Sequence, residues 1–218
     1  MLTSGQYGGV GIQIGKRDNV ITVIAPTDNS PAKRAGIMAG DVLIKIDGED
    51  TESMSMDDAA KLIRGKKGSS VVLTIERFNE EEPIDFTLTR EDIPVKDVSY
   101  FGMLDESIGY IRLTRFSKNS ADEVEKAIVS LKSNALSSIV LDLRDNPGGL
   151  LNSAVSILDM FIEKDELLVW TDGKARQSSK KYYSKSDPIV SDDIQIAVLI
   201  NGGSASASEI VAGVMQDL

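Results

Sequence analysis

The sequence predicts a chain in two parts: an α+β module of short strands and two brief helices over residues 5 to 95, then an α/β layer over residues 96 to 218. Three observations predict it. A length of 218 residues with 41% apolar content suits two small domains with real cores. The first ninety residues read as short strand patterns punctuated by turn residues. From Ile93 onward the helical patterns lengthen and the strands become continuous apolar runs, the mark of strands covered on both faces.

In the first part, Gly9-Val10-Gly11-Ile12-Gln13-Ile14 and Val20 to Ile24 read as half-buried strands. Ser30-Pro31 through Gly36 places an N-cap, a proline at the first helical position and a terminal glycine around one helical turn. Gly40 to Gly48 is a strand ending in an Asp-Gly turn. Ser55 caps a second helix with Ala59, Leu62 and Ile63 on its apolar face and Gly65 at its end. Strands at Val71 to Arg77 and Phe86 to Thr89 flank the acidic turn Glu80-Glu81-Glu82-Pro83.

In the second part, Ile108 to Phe116 is a strand with mixed faces. Ser120-Ala121-Asp122-Glu123 has the form of a capping box opening a helix whose stripe is Val124, Ile128 and Leu131. Ser138 to Leu143 is a strand, Asn146 to Gly149 a turn, and a helix runs on through Phe161. Leu167 to Trp170 is strand-like, Gly173 to Lys185 an exposed loop or hairpin, and Ile194 to Ile200 a buried strand leading into a last helix from about Ser206.

Composition excludes whole classes of chemistry. Cysteine and histidine are both absent, so there is no disulfide framework, thiolate nucleophile, imidazole metal ligand or Ser-His-Asp triad. Any catalysis must fall to Ser, Thr, Lys, Tyr or carboxylates. With 24 basic against 34 acidic residues, a net charge of −10 and no basic run longer than Lys180-Lys181, the footprint of a nucleic-acid binder is missing. The longest apolar run, Ile196 to Ile200, is far short of the roughly 20 residues of a membrane-spanning helix.

Three segments could carry chemistry. Gly8-Gly9-Val10-Gly11-Ile12 can turn successive N–H groups into one concavity that holds a carboxylate, with an edge strand beyond it for β-addition of a peptide; the plain alternative is an ordinary glycine turn. Leu141 to Gly149, with Pro147-Gly148-Gly149 before a helix, presents free N–H groups suited to an oxyanion; the plain alternative is a tight strand-to-helix turn. A Walker A ending is absent from it. Asn201-Gly202-Gly203-Ser204-Ala205-Ser206-Ala207-Ser208-Glu209 pairs Ser206 with Glu209 in the spacing of a capping box, so Ser206 is either a cap, which spacing alone favours, or a reacting serine at a helix N-terminus.

The segment from Tyr7 to Arg90, with its GVGI loop, SPAKRAGIMAGDVLIKIDG stretch and MDDAAKLIRG helix, resembles a PDZ domain. That resemblance implies recognition of a peptide C-terminus by the amides of Val10, Gly11 and Ile12 next to Gly9, with Met56, Ala60 and Ile12 as pocket walls for an apolar last side chain. The series PDZ module, YIRLTRFS, LDLRDNPGG and NGGSASASEIVAG resembles the carboxy-terminal processing, or tail-specific, serine peptidases over nearly the whole chain. The resemblance implies a crotonase-like peptidase core and an endopeptidase acting on proteins with free, apolar C-termini. It gives Ser206 as nucleophile and Ala207 with Gly148 or Gly149 as oxyanion donors. It implies no metal or organic cofactor, and a location outside the cytoplasm.

That family activates its serine with a lysine roughly two dozen residues further on, followed by a glutamine. The sequence stops at Leu218, and Lys164, Lys174, Lys180, Lys181 and Lys185 match no motif position. The expectation is therefore an excised fragment that lacks its base and is inactive, with apolar surface left uncovered. The rival reading from another class is a non-catalytic scaffold, a PDZ-like module on a degenerate α/β domain.

Overall fold

The computed structural model describes residues 5–132, 135–172 and 179–218. Two compact units emerge, one of residues 6–95 and one of residues 96–218 together with Gly5.

In the unit of residues 6–95, β2 (Ile12–Arg17), β3 (Val20–Pro26), β4 (Val42–Ile46), β6 (Ser70–Glu76) and β7 (Ile84–Thr89) form an antiparallel sheet in the order β2-β3-β4-β6-β7, and β5 (Glu49–Asp50) adds to β4. A separate ribbon pairs β1 (Gln6–Gly9) with β8 (Glu91–Pro94). Alternation in the sequence of β6 becomes alternation in space: Val71, Leu73 and Ile75 are fully buried, in one core with Ile21, Val23, Leu43 and Ile46. Burying each such side chain stabilises the fold by about 1.5 to 3 kcal/mol.

Helix α1 (Pro31–Ala35) starts on Ser30, whose hydroxyl accepts the Lys33 N–H, and stops on Gly36 in the left-handed region. Helix α2 (Met56–Ile63) starts on Ser55 and buries Ala59 and Ile63. It does not end on a left-handed Gly65; Arg64 already leaves the helix in extended conformation. The reason is the buried Arg90, whose guanidinium donates to the carbonyls of Leu62 (2.7 Å), Ile63 (3.0 Å) and Ser70 (2.5 Å). A cation on the last carbonyls of a helix replaces the glycine cap.

In the second unit, β14 (Gln195–Leu199), β11 (Ser138–Asp142), β10 (Ile108–Leu113) and β9 (Val98–Met103) lie in that order. β10, β11 and β14 run parallel, and β9 antiparallel to β10. Parallel neighbours need crossovers, which α3 (Ser120–Leu131) and α4 (Leu151–Leu158) help supply, and α5 (Ala207–Asp217) follows β14. Val124, Ile128 and Leu131 of α3 pack with Ile111, Ile139, Leu141, Ala154 and Ile157 in the core. β12 (Leu167–Thr171) and β13 (Lys180–Tyr183) form an antiparallel hairpin; residues 173–178 of the expected loop, Lys174 among them, lie outside the described residues.

Four further expectations need correction. Strand β10 stops at Leu113, because the ladder shifts at Arg112/Leu113 and Thr114 turns its N–H to Asp97 O; Phe116 instead forms a single bridge with Gly149. Helix α4 ends at Leu158 rather than Phe161. Ser120 is not a cap: Asn119 holds that position. The Ser120 hydroxyl donates to the buried Asp97 carboxylate at 2.8 Å, and Glu123 accepts the N–H groups of Asp97 and Val98 instead of reaching back. Last, β14 is only half-buried, because among the described residues it is an edge strand, and Ile200 beyond it is 52% exposed.

Candidate functional site

A groove of about 370 Å³ runs between β2 and α2, with Ile12, Met56 and Ala60 on its walls alongside Tyr7, Ile14 and Arg64. Val10 is fully buried beside it and anchors the loop; the carbonyls of Val10 and Gly11 are taken by the N–H groups of Ala32 and Thr27. The N–H groups of Val10 and Gly11 find no acceptor among the described residues. Gly11 sits at φ +73°, and a Cβ there would lie 2.3 Å from Ser30 Cβ. Only glycine fits. Gly9 is the last residue of β1 and leads into the loop. Sequence reasoning missed Tyr7 and Arg64: the guanidinium lies 4.9 Å over the Tyr7 ring, and burial pushes the Tyr7 hydroxyl pKa up. Their pairing joins the two ends of the unit's groove wall across 57 positions of sequence, so no local pattern signals it.

In the second unit, the parallel strand β11 delivers Asp142, fully buried, to the start of the Arg144–Gly149 turn. Its carboxylate accepts from the Arg144 N–H and Nε (both 2.9 Å), from Arg144 Nη2 (2.6 Å) and from the Tyr110 hydroxyl (2.5 Å). The Arg144 hydrogen bonds, aided by Tyr110, hold the Asp142 pKa well below the usual carboxylate range against the cost of burial. Asn146, also fully buried, then turns the chain: its Nδ2 donates to Leu113 O and its Oδ1 accepts the Gly148 N–H, both at 2.9 Å. The Phe116 backbone grips the turn from the other side, donating to Gly148 O and accepting from Leu150 N. The Gly148 N–H is thereby engaged, whereas the Gly149 N–H has no acceptor among the described residues.

The segment after β14 is stitched to this turn. Asn201 Oδ1 accepts the Asp145 N–H and its Nδ2 donates to Asp145 Oδ1. The Ser204 hydroxyl donates to Leu143 O at 2.7 Å, and the Ala205 N–H and Ser208 hydroxyl both donate to Asn146 O. Ser204 and Ser208 are thus committed. The exposed Ser206 is left between them, and Gly148 packs against it: a Cβ on Gly148, at φ +93°, would lie 2.9 Å from Ser206 Cβ and 2.8 Å from the Ala207 nitrogen.

Ser206 differs from the chain's ordinary caps. Ser30 (φ −83°, ψ 162°) and Ser55 (φ −74°, ψ 157°) are extended and accept the N–H three residues on. Ser206 stands at φ 56°, ψ −113°. Ser206 and Glu209 are paired as a capping box, with the Glu209 carboxylate accepting the Ser206 N–H at 2.6 Å. The Ser206 hydroxyl makes no side-chain cap hydrogen bond of the kind Ser30 and Ser55 make. A non-glycine residue held in a sparsely populated region costs about 1 to 3 kcal/mol and is a feature of sharp strand-to-helix turns that expose a side chain. The Ala207 N–H, at the first turn of α5, has no acceptor among the described residues. No cluster of acidic residues able to hold a metal occurs among the described residues, and none of the described helices is long and apolar enough to cross a membrane.

An exposed, strained serine at a helix N-terminus, packed on a glycine turn with a free N–H, is an arrangement suited to acyl transfer. Comparison with known proteins matches residues 107–218 to peptidase family S41 and residues 22–77 to the PDZ domain. The chain is 41% identical over 219 residues to a carboxy-terminal-processing protease of Bartonella bacilliformis, covering 99% of this chain and 50% of that protein. It is 39% identical to a "Probable CtpA-like serine protease" of Staphylococcus haemolyticus, over 98% of this chain and 42% of that one. In fold it is similar to a Bacteroides fragilis chain assigned to the S41 proteases (TM-score 0.55, 18% identity, all of this chain and 62% of that one). The chain belongs to peptidase family S41 and carries a PDZ domain. It spans about half the length of the curated relatives it matches.

Proposed function

We propose that this chain is the PDZ domain (residues 5 to 95) and the serine-bearing part of the core (residues 96 to 218, of the crotonase-like kind) of a tail-specific serine endopeptidase. The observation that carries the reading is Ser206: an exposed hydroxyl on a strained turn, against Gly148, with the flanking serines both spent on structural hydrogen bonds. Ser206 Oγ attacks the scissile carbonyl carbon and gives its proton to a lysine amine that family resemblance puts beyond residue 218. The tetrahedral oxyanion accepts hydrogen bonds from the N–H groups of Ala207 and Gly149, the two with no other acceptor among the described residues. Collapse breaks the C–N bond, the lysine ammonium returns the proton to the leaving amine, and the acyl ester left on Ser206 is hydrolysed by water.

Substrates are proteins with free, apolar C-termini, not nucleic acids. The carboxylate goes to the amides of Val10, Gly11 and Ile12 and the last side chain to the Ile12, Met56 and Ala60 walls. Resemblance to carboxy-terminal processing proteases favours work outside the cytoplasm. Residues 1 to 218 alone are inactive in this reading. To test it, the chain with and without its natural C-terminal continuation is incubated with an unstructured protein ending in apolar residues. Turnover only with the continuation supports the proposal. Turnover by residues 1 to 218 that Ser206→Ala abolishes places a base inside them, and none in either form favours a non-catalytic scaffold.

A further inference from the structure

A cleft of about 750 Å³ has no part in the chemistry above. One wall is α4, which contributes Asn152, Val155 and Ser156, residues spaced to share one helical face. The opposite wall is β13 with the residues after it, and Lys180, Lys181 and Lys185 line it. β13 pairs only with β12 among the described residues, so its other edge keeps unpaired backbone groups, which an extended chain can use.

Charge selects the occupant. In a chain of net charge −10, this cleft holds three lysines and one carboxylate, Asp165. None of the three lysines pairs with a carboxylate among the described residues, in contrast to Lys61 and Lys67 elsewhere. Lys180 Nζ rests 4.6 Å over the Tyr182 ring, which orients the ammonium without neutralising it. The cleft also begins next to the reacting turn: Asn152 follows Gly149 by three residues, and Val155 and Ser156 lie one helical turn further along.

We infer that this cleft receives an extended, acidic segment of the polypeptide substrate, added to the free edge of β13 with its carboxylates on Lys180, Lys181 and Lys185. The direction of the segment, away from Gly149 along α4, rests on the proposed function; binding to the cleft does not need turnover. The protein would then select substrates by acidic residues at a distance from the scissile bond, separately from the C-terminal residue read by the PDZ domain.

Trp170, the sole tryptophan, is 64% exposed on β12 and directly opposite Lys181 in the ladder, so its emission reports on this hairpin. The 218-residue chain is titrated with an acetylated peptide alternating Glu with Val and with its Gln counterpart. Both are C-terminally amidated to keep them from the PDZ carboxylate site, and Trp170 emission and calorimetry are read in parallel. The inference expects the Glu peptide to bind about tenfold tighter or more at low salt, with the advantage shrinking as salt screens it. The triple variant Lys180→Glu, Lys181→Glu, Lys185→Glu should lose that preference, and the milder Lys181→Gln should weaken it while the melting curve stays unchanged. Equal affinity for the two peptides, a preference surviving in the triple variant, or tighter binding of single-stranded oligothymidylate would overturn the inference. Since the assay involves no hydrolysis, its failure leaves the role of Ser206 standing, and loss of that role leaves this binding intact.

Discussion

The hydroxyl of Ser208 donates to the backbone carbonyl of Asn146 at 2.9 Å, wholly out of solvent, and so fastens the last helix to the glycine turn 62 residues earlier. Asn146 is the hub of that junction, since its side chain also holds Leu113 O and the Gly148 N–H. Ser208→Ala removes one bond and leaves the carbonyl satisfied by the Ala205 N–H, so it should cost about 1 kcal/mol in a denaturant titration. Asn146→Ala strands two buried partners and should cost about 2 kcal/mol or more. Equal costs would show that Asn146 does not organise the turn.

Backbone strain at Ser206 predicts an unusual sign. Ser206→Gly should raise stability by about 1 kcal/mol, because glycine enters positive φ freely. Ser55→Ala, at an ordinary cap, should lower it by about 1 kcal/mol. If both substitutions destabilise alike, Ser206 is a cap like the others.

Gly148→Ala forces a Cβ to within 2.5 Å of the Ala205 carbonyl oxygen and 2.8 Å of the Ala207 nitrogen at φ +93°. Thermal melting should fall by the equivalent of about 2 kcal/mol or more. An unchanged melting temperature would mean that the two motifs do not pack as closely as described.

Acid stability should depend on Asp142. Its folded pKa lies below the unfolded value, so its contribution is present above about pH 4 and disappears as pH falls through the folded value. Asp142→Asn should therefore be less stable than the parent at pH 7, and the two should converge in strong acid. A gap that persists unchanged at low pH would assign the loss to packing.

The groove of the PDZ domain should distinguish a peptide from its C-terminal amide. Gly11→Ala pushes Cβ into Ser30 and should abolish the difference, measured by fluorescence anisotropy. A free acid and an amide that bind equally to the parent would mean that the loop holds no carboxylate.

What the sequence made legible was local. The Ser30-Pro31 start and Gly36 stop of α1, the Asp47-Gly48 turn and the apolar stripe of α3 all follow from residues a few positions apart. The misreadings came from partners far away in sequence. Ser120 and Glu123 have capping-box spacing, yet the buried Asp97 and its backbone N–H claim them. Arg90 ends α2 from 27 residues away, where local chemistry pointed to Gly65. The apolar run Ile196 to Ile200 reads as a covered strand, but its exposure depends on its place at the sheet edge. For the serine motif the spacing favoured a cap; only the dihedral angles of Ser206 and the bonds of Ser204 and Ser208 separate the three serines.

The most direct measurement is hydrolysis of an apolar-tailed, unstructured protein by the chain carrying its natural C-terminal continuation, compared among Ser204→Ala, Ser206→Ala and Ser208→Ala with melting curves on each. The account predicts that Ser206→Ala stays folded and loses turnover, while the other two retain substantial activity because their hydroxyls only hold the backbone. Near-normal turnover in Ser206→Ala, with loss in folded Ser204→Ala or Ser208→Ala, would contradict it.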